Sequence, residues 1–399
     1  MSAAAEQELI PPANRPLRVA WLCGIPKEIQ QEVFGHLNLG PTPDWSWIVG
    51  HLPPPANVEL HVISPSRRVK RVEHAECRGA HFHVIPVTPG GTHTFYWNWV
   101  LKYRPVLRAI QPDCVHGWGT EAGYGNVALQ SGYPAIVGIQ GLLTAYWPFL
   151  SHSFTLGLAR LNERRTLRAA PCVVAEGTYS QQAGAPYTDA AIRVVPHPLR
   201  PAFVAAQPGR RDSQTIVFLG SPERRKGFTD ALQAFARLTH RDWRLVCIGN
   251  LAPEKRAETQ VELERLGIAD RVELAGTCST AEVVGWLQRS PVLLLPSYMD
   301  TGPTALKEAL AMGVWPVCYD NTGPQELISR YQFGSRAATG NIAELAAALQ
   351  RAIDEKPWHD TARVQQCIAT IRHDLERERI WQQLVQLYEE RLRHAKHPD

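Results

Sequence analysis

Short apolar, often β-branched runs alternate with longer stretches of helical periodicity along most of the chain. Runs that are apolar on both faces, separated by enough chain for a helix, are typical of parallel sheets covered by helices on both sides. They lie on both sides of a polar break at 207–213 and predict an α/β protein with two doubly wound sheets. The predicted strands are 18–22, 58–63, 82–85, 114–116, 135–139, 173–175, 193–195, 215–219, 244–248, 271–274, 292–295 and 315–318.

A proline-rich stretch at 195–211 marks the predicted boundary between two domains. Prolines disfavour helix at the residues before them, so we expect an extended connector here. The N-terminal domain is predicted over 17–195 and the C-terminal domain over 196–371. A final amphipathic helix is predicted over 372–396, and it must pack on whichever domain offers an apolar groove.

The bulk composition supports this division and excludes one class of partner. At 399 residues, the chain is too long for one ordinary hydrophobic core. The formal net charge is only +4, and the longest basic run, Arg224-Arg225-Lys226, is short. Nucleic-acid-binding proteins usually cluster many basic residues on one face or tail, so we expect no nucleic-acid partner.

The cysteines and the apolar segments bear on the cellular location. Eight cysteines are scattered along the chain without a C-x-x-C pair, which predicts reduced thiols in a cytoplasmic protein. Residues 1–16 lack the basic and apolar regions of a signal peptide. No stretch approaches the ~20 apolar residues of a membrane-spanning helix. We expect a soluble chain, with peripheral contact at the inner face of a membrane left open.

The densest chemical signal lies in 293–328, where a buried strand ends at Pro296 and a helix follows a turn. We expect Pro303 at the first helical position, where a missing N–H costs nothing, and therefore Gly302 at the N-cap. Glycine leaves the helix N-terminus uncovered, so its N–H groups favour an anion at this edge of the sheet. The predicted donors are the N–H groups of Thr304, Ala305 and Leu306.

Two carboxylates flank this helix start. Asp300 lies in the turn and Glu308 lies about one turn into the helix, so both are placed to meet one ligand from opposite ends. A carboxylate accepts hydrogen bonds from two neighbouring hydroxyls, which suits the recognition of a sugar. The alternatives are an ordinary turn residue for Asp300 and compensation of the helix dipole for Glu308.

This segment resembles the retaining GT-B glycosyltransferases of family 4, the glycosyl transferases group 1. Their hallmark is an E-x₇-E motif that begins after Pro-Ser and ends in E-A-M-A-x-G. This chain has Pro296-Ser297, then Asp300 and Glu308 at the two acidic positions, then ALAMG at 309–313. The sequence GPQELI at 323–328 is similar to the family's glycine-rich turn ahead of the next helix. The resemblance covers essentially the second domain and, more loosely, the first.

The resemblance implies a GT-B fold, with two Rossmann-like domains facing a central cleft, and it implies roles for both carboxylates. Asp300 would contact hydroxyls of the donor sugar, and Glu308 would hold the ribose of the nucleotide. Aspartate in place of glutamate shortens the reach by one methylene, which leaves the identity of the sugar open.

A second match is the sequence FLGSPERRKGF at 218–228, where the family grips the donor diphosphate. Lys226 stands at the family's lysine position. The family's arginine follows the first glycine of this turn, but this chain has Ser221 there, so Arg224 or Arg225 must substitute for it. A departing diphosphate builds negative charge that fixed cations stabilise. The alternative is a solvated cluster of charges.

The first domain offers less specific candidates. Gly24 follows the first predicted strand, where a loop that approaches a ligand would lie. His116 and Glu121 come just beyond a predicted strand end and, with Gln140, are the acceptor-side candidates. An ordinary loop histidine is an equal alternative for His116. Gln140-Gly141 stands where many family members have His-Gly, so the family's catalytic histidine cannot be carried over to this position.

Metal and cofactor signals are weak in the sequence. His81 and His83 share one face of a predicted strand, but a metal site there needs further ligands. The chain contains no D-x-D motif. With the resemblance, this predicts an enzyme that needs no metal or cofactor, in which cationic side chains and a helix N-terminus replace Mg²⁺.

Residues 139–168 are rich in apolar and aromatic side chains, which are followed by several arginines. We prefer a core helix with a loop for this segment over a segment that lies on a membrane surface.

The predicted function is retaining transfer of a sugar from a nucleoside-diphosphate sugar to a glycan, lipid-linked or small-molecule acceptor, in the synthesis of glycans, polysaccharides or glycoconjugates. The resemblance further implies reaction on the donor's front face and a last helix that returns to the first domain. The alternatives are a non-catalytic sugar-nucleotide-binding protein and a GT-B epimerase or phosphorylase. The base, the sugar, the acceptor and the oligomeric state stay open.

Overall fold

The computed structural model describes residues 15–40 and 47–396. The described chain forms two compact units. The first comprises the residues up to Pro198 together with those from Arg377 onward, and the second comprises Leu199–Glu376. Residues 1–14, on which the prediction of no signal peptide mainly depends, lie outside the described part. Each unit is built on a largely parallel sheet with helical crossovers, as the alternation of apolar runs predicts.

The first unit contains an eight-stranded sheet in the order β3-β4-β2-β1-β5-β6-β7-β8. Its elements are β1 (Leu17–Leu22), α1 (Lys27–Phe34), α2 (Trp47–His51), β2 (Val58–Ser66), β3 (Glu73–Cys77), β4 (Ala80–Pro86), α3 (Trp97–Ile110), β5 (Cys114–Trp118), α4 (Tyr124–Leu129), β6 (Ala135–Ile139), α5 (Leu143–Tyr146), α6 (Phe154–Ala169), β7 (Val173–Ala175), α7 (Thr178–Gly184) and β8 (Ile192–Val194). Alternate residues of β1 enter different apolar clusters: Val19 and Trp21 join one, and Ala20 and Leu22 join another. The central strand is therefore covered on both faces.

The edge strand β3 departs from the predicted all-parallel sheet, because it pairs antiparallel with β4. The turn between them consists of Arg78 and Gly79, whose φ angles are 51° and 78°. Two consecutive residues with positive φ form the tight hairpin turn that matches the twist of paired strands. The strand's sequence, EHAEC, is mostly polar and only its last residue is buried. It therefore lacks an apolar run of the kind by which most of the other strands were predicted.

The second unit contains a six-stranded parallel sheet in the order β11-β10-β9-β12-β13-β14. Its elements are α8 (Pro201–Ala205), β9 (Thr215–Leu219), α9 (Phe228–Ala236), β10 (Arg244–Ile248), α10 (Pro253–Arg265), β11 (Val272–Gly276), α11 (Thr280–Arg289), β12 (Val292–Leu295), α12 (Thr304–Ala311), β13 (Trp315–Tyr319), α13 (Thr322–Tyr331), β14 (Ser335–Ala337), α14 (Ile342–Glu355) and α15 (Thr361–Asp374). The chain runs outward from β9 to β11 and then returns to β12 on the other side of β9. This reversal makes the β9–β12 pair the topological switch point, where open α/β sheets bind ligands.

The sequence predicts an extended connector at 195–211. This prediction is wrong in part, because the segment contains the short helix α8. Pro201 stands at the first position of this helix, where its fixed φ and missing N–H are favourable. Phe203 anchors the helix, since its side chain is fully buried in the core of the second unit. Arg200, directly before Pro201, is extended, with φ −64° and ψ 137°, and the two units divide between Pro198 and Leu199.

The last predicted helix begins later than expected, as α16 (Arg377–Lys396). Leu375 belongs to the second unit's core, and its carbonyl oxygen accepts a hydrogen bond from the Leu199 N–H at 3.2 Å. The preceding helix, α15, ends at Asp374, with Leu375 as its C-cap. The apolar face of α16 enters the core of the first unit instead. Its buried side chains there are Ile380, Trp381, Leu384, Leu387, Tyr388 and Leu392.

All eight cysteines are free thiols, and most of them are buried. In the part of the chain that the structure describes, the helices are too short or too polar for any of them to cross a membrane.

Candidate functional site

Two loops meet at the carboxyl ends of β9 and β12. The loop after β9 ends in a 3-10 turn, Arg224–Lys226, and the loop after β12 begins at Pro296. The Tyr298 N–H donates to the Arg225 carbonyl oxygen at 2.8 Å, and Arg225 Nη1 donates to the Met299 carbonyl oxygen at 3.1 Å. The backbone of each loop thus positions the other, which places the basic turn beside the acidic one.

Gly227 makes this close approach possible. Its φ is 68°, and a Cβ at this position would lie 1.9 Å from the Pro296 carbonyl oxygen. A contact of that length with backbone cannot be relieved by turning a side chain. Both the backbone conformation and the available space therefore demand glycine between the basic turn and α9.

We expect Gly227→Ala to lower the free energy of unfolding by clearly more than about 1 kcal/mol, because it adds a backbone clash to the cost of a positive φ. Urea unfolding of the purified protein measures this loss. Gly267→Ala is the matched control, since Gly267 has a φ of 65° with nothing within 4 Å of its added Cβ. Equal losses for the two variants would show that the two loops do not need this contact.

The structure brings Lys226 and Asp300 into a direct ion pair between Nζ and Oδ2. The Lys226 side chain is 18% exposed and that of Asp300 is 9% exposed. The Asp300 N–H donates to Thr322 Oγ1 at 3.2 Å, and its carbonyl oxygen accepts from the Gly323 N–H at 2.9 Å. Asp300 is therefore fixed through its backbone on one side and through its carboxylate on the other.

Thr322 supports Asp300 from an unusual backbone conformation. Its φ is 46°, in the left-handed region that a β-branched residue rarely adopts. Its hydroxyl accepts from the Asp300 N–H and donates to Asn321 Oδ1 at 2.8 Å. Strain of this kind persists only where the surroundings enforce it, and it is common at functional sites.

The predicted glycine-rich turn at 323–328 lies inside α13, which already begins at Thr322.

The helix α12 begins one residue later than predicted. Pro303 is the N-cap and Thr304 is the first helical residue, so Gly302 lies outside the helix. The Leu306 N–H donates to the Pro303 carbonyl oxygen at 3.0 Å and does not point outward as predicted. Among the described residues, the N–H groups of Thr304 and Ala305 have no hydrogen-bond acceptor, so two of the three predicted donors stay open to an anion.

Glu308 lies apart from the Lys226–Asp300 pair, in a bidentate ion pair with Arg200. Arg200 Nε donates to Oε1 at 2.5 Å and Nη2 donates to Oε2 at 2.8 Å. The Glu308 side chain is 2% exposed and that of Arg200 is 22% exposed. Burial raises the pKa of Glu308 above its ordinary value, although Arg200 and the nearby Lys307 both favour the charged form. Since Glu308 belongs to the second helical turn, it does not serve as a first-turn dipole partner.

The two candidate arginines differ in their placement. Arg224 is exposed, while Arg225 is half-buried and holds the loop after β12. The structure thus brings Asp300, Lys226 and Arg225 together with the start of α12.

The first-unit candidates occupy different positions. Gly24 is buried in the loop after β1. Gln140 is buried directly after β6, and the Glu121 carboxylate lies close to Gly119 and Gly141, 3.1 Å and 3.6 Å from where a Cβ would stand on each. Glu121 therefore lies beside the loop that contains Gln140.

The prediction that His116 lies just beyond a strand end is wrong, because β5 continues to Trp118. The ring is fully buried, stacks on Trp118 with centroids 4.5 Å apart, and has Nδ1 3.1 Å from the Tyr388 hydroxyl. Burial lowers the pKa of His116 to about 3, so the ring is neutral. A neutral imidazole closed off from solvent is a core residue in this structure.

Sequence reasoning missed several residues that hold the site. Arg200 lies in a proline-rich connector and gave no motif. Asp230, on the first turn of α9, accepts from the hydroxyls of Tyr298 at 2.8 Å and Tyr319 at 2.5 Å, which supports the loop after β12 from behind. Such partners are far apart in sequence, and only the fold reveals them.

Glu163 is the corresponding residue in the first unit. It is fully buried and accepts hydrogen bonds from the N–H groups of Leu143 and Thr144, each at 2.8 Å, and from the Thr120 hydroxyl at 3.1 Å. Burial raises the pKa of Glu163. A buried carboxylate at the start of α5 fixes the loop that follows Gln140. Its sequence signal is an acidic residue within an otherwise basic helix.

Comparison with known proteins is informative for the second unit. Residues 202–370 match the family model described as Glycosyl transferases group 1. The chain is 28% identical over 142 residues to the 2-deoxystreptamine glucosyltransferase of Streptomyces kanamyceticus, which covers 35% of this chain and 36% of that protein. It is also 28% identical over 155 residues to the glycogen synthase of Mycobacterium tuberculosis, which covers 38% of this chain and 37% of that protein. The matches thus span little more than a third of these relatives' length.

Solved structures extend the likeness to nearly the whole chain. Sucrose-phosphate synthase from Thermosynechococcus elongatus matches with a TM-score of 0.77 at 15% identity, over 94% of this chain and 98% of that one. Anabaena HepE in complex with UDP-glucose matches with a TM-score of 0.69 at 14% identity, over 94% of this chain and 100% of that one. At such low identity the likeness shows the fold. The chain therefore has the GT-B fold, and its residues 202–370 carry the pattern of the glycosyl transferases group 1.

Proposed function

We propose that the protein is a glycosyltransferase that moves a sugar from a nucleoside-diphosphate sugar to an acceptor hydroxyl with retention of configuration. The observation that carries the proposal is the Lys226–Asp300 pair beside the open N-terminus of α12, at the switch point between β9 and β12. A cation and a carboxylate are paired there, and the N–H groups of Thr304 and Ala305 lie at the start of the helix that follows the loop of Asp300. The family match supports the proposal, since it covers both residues of the pair.

The proposed sugar transfer requires that the negative charge on the leaving diphosphate be stabilised. The bond between the anomeric carbon and the phosphate oxygen breaks, and a bond from that carbon to the acceptor oxygen forms on the same face. The acceptor proton passes to an oxygen of the departing diphosphate. Lys226 Nζ, with the N–H groups of Thr304 and Ala305, stabilises the charge that develops on the diphosphate.

Asp300 serves the sugar in this proposal. Its carboxylate is paired with Lys226, and each carboxylate oxygen can accept more than one hydrogen bond. Sugar hydroxyls can therefore add to the Asp300 carboxylate while Lys226 turns toward the phosphates. Arg225 keeps the two loops in register through the Met299 carbonyl oxygen.

In this proposal, Glu308 holds the ribose of the nucleotide. Both of its oxygens already accept from Arg200, so ribose hydroxyls must use the remaining lone pairs of a nearly inaccessible carboxylate. The Arg200–Glu308 pair also has a structural role, since it links the segment before α8 to α12.

The donor class is tested by ligand-induced stabilisation. HepE was solved with UDP-glucose and the Streptomyces relative is a glucosyltransferase, so UDP-glucose is the first donor to try. GDP- and ADP-sugars and the free diphosphates complete the panel. A donor at 100 times its dissociation constant adds about 2.7 kcal/mol to the free energy of unfolding, which raises the melting temperature by several degrees. No shift with any member of the panel would contradict the proposed donor site.

Catalysis is tested separately from binding. The donor that stabilises the protein is incubated with candidate acceptor sugars, and released diphosphate and product are followed by NMR. We expect diphosphate release and a product with the donor's anomeric configuration. Binding without any release would favour the non-catalytic alternative, and an inverted product would contradict retention.

A further inference from the structure

Four histidines gather on one face of the first unit's sheet, at the edge formed by β2, β3 and β4. The strand pairing places His61 opposite His81, and His83 opposite both Ile63 and His74. Side chains of paired residues in neighbouring strands point to the same face of a sheet. The sequence alone offered only His81 and His83, because His61 and His74 lie on strands that only the fold brings alongside.

The rings lie in direct contact. The centroids of His61 and His81 are 4.6 Å apart in a stacked arrangement, and those of His74 and His83 are 4.7 Å apart. His61 Nδ1 is 3.1 Å from His83 Nε2. The cluster is graded in depth: His61 is buried, His81 and His83 are half-buried and His74 is exposed. Solvent therefore reaches one side of a cluster whose other side is fixed by the sheet.

Two glutamates complete the cluster. Glu59 Oε1 lies 2.9 Å from His61 Nε2, and Glu76 Oε1 lies 3.1 Å from His81 Nδ1. Two sets therefore have all their ligand atoms within 4.8 Å of one another: Glu59 with His61 and His81, and His74 with Glu76 and His81. Metal–nitrogen distances of about 2.0–2.1 Å place two tetrahedral ligand atoms about 3.4 Å apart. To reach that geometry, the rings of His61 and His81 must turn out of their stacked arrangement so that one nitrogen of each points at the ion.

We propose that this face binds a divalent transition-metal ion of the zinc type, with Glu59, His61 and His81 as protein ligands. Imidazole and carboxylate together suit zinc, and three protein ligands leave a fourth position for water. This set is preferred over the more exposed one because its ligands are better fixed by burial. Arg18 Nε also lies 2.9 Å from Glu59 Oε1, so the ion must share or displace that contact.

The alternative is a set of stacked, hydrogen-bonded side chains that pair three strands without a metal. The two explanations differ in what happens on adding an ion. A bound metal would link β2 with β4 and raise the stability of the first unit by mass action. A purely structural cluster would show neither saturable binding nor a shift.

Untagged, EDTA-treated and dialysed protein is titrated with ZnCl₂ by isothermal titration calorimetry. We expect saturable binding of about one equivalent per chain and a higher melting temperature with zinc. His81→Asn removes a ligand common to both sets, so it weakens zinc binding by more than about tenfold, the loss that even an outer-shell partner costs. His36→Asn, which replaces an exposed histidine elsewhere on the first unit, should bind as the wild type does.

Absence of saturable binding to the wild type, or equal affinity in His81→Asn, would overturn the proposal. Circular dichroism checks that the variant is folded. If it is not, Glu59→Gln takes its place and is expected to show the same loss. Co²⁺ titration adds an independent readout, because cobalt in a low-symmetry nitrogen and oxygen site absorbs visible light and the His81→Asn spectrum should lack that band. The donor-binding experiment is unaffected by either outcome.

Discussion

Lys226→Ala is expected to lower kcat about 10²–10³-fold, because the proposed transfer then loses one fixed donor to the charge developing on the diphosphate. The loss should appear at saturating donor, since the interaction strengthens as charge builds. Lys226→Arg keeps a cation at the site and should retain more activity than the alanine variant. Initial rates of diphosphate release, taken well below the melting temperature, measure both effects.

Stability is the necessary control for Lys226. Removing the ammonium leaves Asp300 without its ion-pair partner, which we expect to cost about 1–2 kcal/mol. Lys255→Ala is the matched control, since Lys255 is an exposed lysine in an ion pair with Glu258 on α10. An alanine variant at 226 that kept its turnover while its melting temperature fell would show that Lys226 is structural.

Arg200→Ala is expected to cost about 3 kcal/mol in the free energy of unfolding, because it leaves the carboxylate of Glu308 buried without a partner. The estimate lies at the lower end for a broken buried pair, since Arg200 itself is partly exposed. Urea unfolding with a two-state fit to the second unit's transition gives the number.

The loss should depend on pH in a defined direction. Arg200 holds the pKa of Glu308 down against burial, so the variant's folded state has an even higher Glu308 pKa than the wild type. An acid with a raised folded pKa contributes stability below its unfolded pKa and loses it as pH rises through the folded value. The deficit of Arg200→Ala should therefore be largest at alkaline pH and shrink on acidification.

A double-mutant cycle separates the energy of the Arg200–Glu308 interaction from the effect of the other contacts that Arg200 makes. Glu308→Gln removes the charge, so Arg200→Ala should cost less in that background than in the wild type. Equal costs in both backgrounds would show that Arg200 acts through other contacts, such as its 3.2 Å hydrogen bond to the Thr280 hydroxyl.

Most of the fold was predictable because buried parallel strands are continuous apolar runs. β6, β9 and β12 were predicted with the bounds that the structure has. The edge strand β3 was not, because its sequence is mostly polar and only its last residue is buried. The helix α8 was also missed, because a proline marks either a helix start or an extended segment. Local sequence does not decide between the two; the buried Phe203 does.

The candidate site was predictable as far as it depends on contiguous motifs. Lys226 and Asp300 each stood out within a turn, and their pairing follows from the switch-point topology. The Arg200–Glu308 pair did not stand out, because four helices, α8 to α11, and four strands, β9 to β12, separate its partners in the sequence. Pro303 was placed one residue too far into α12, since the N-cap and first helical positions both accept proline. The sequence predicted that β5 ends at His116. The strand continues for two further residues, so His116 lies within the sheet.

The helix α16 has a consequence for the order in which the chain can fold during synthesis. The second unit is a continuous segment, while the first unit takes Trp381 and Tyr388 from α16. Trp21 stacks on Trp381 with centroids 5.4 Å apart and donates to the Tyr388 hydroxyl at 2.8 Å. On the ribosome, the second unit can therefore complete its core while the earlier-made first unit still lacks part of its own. The usual N-terminal-first order is reversed for the final packing step.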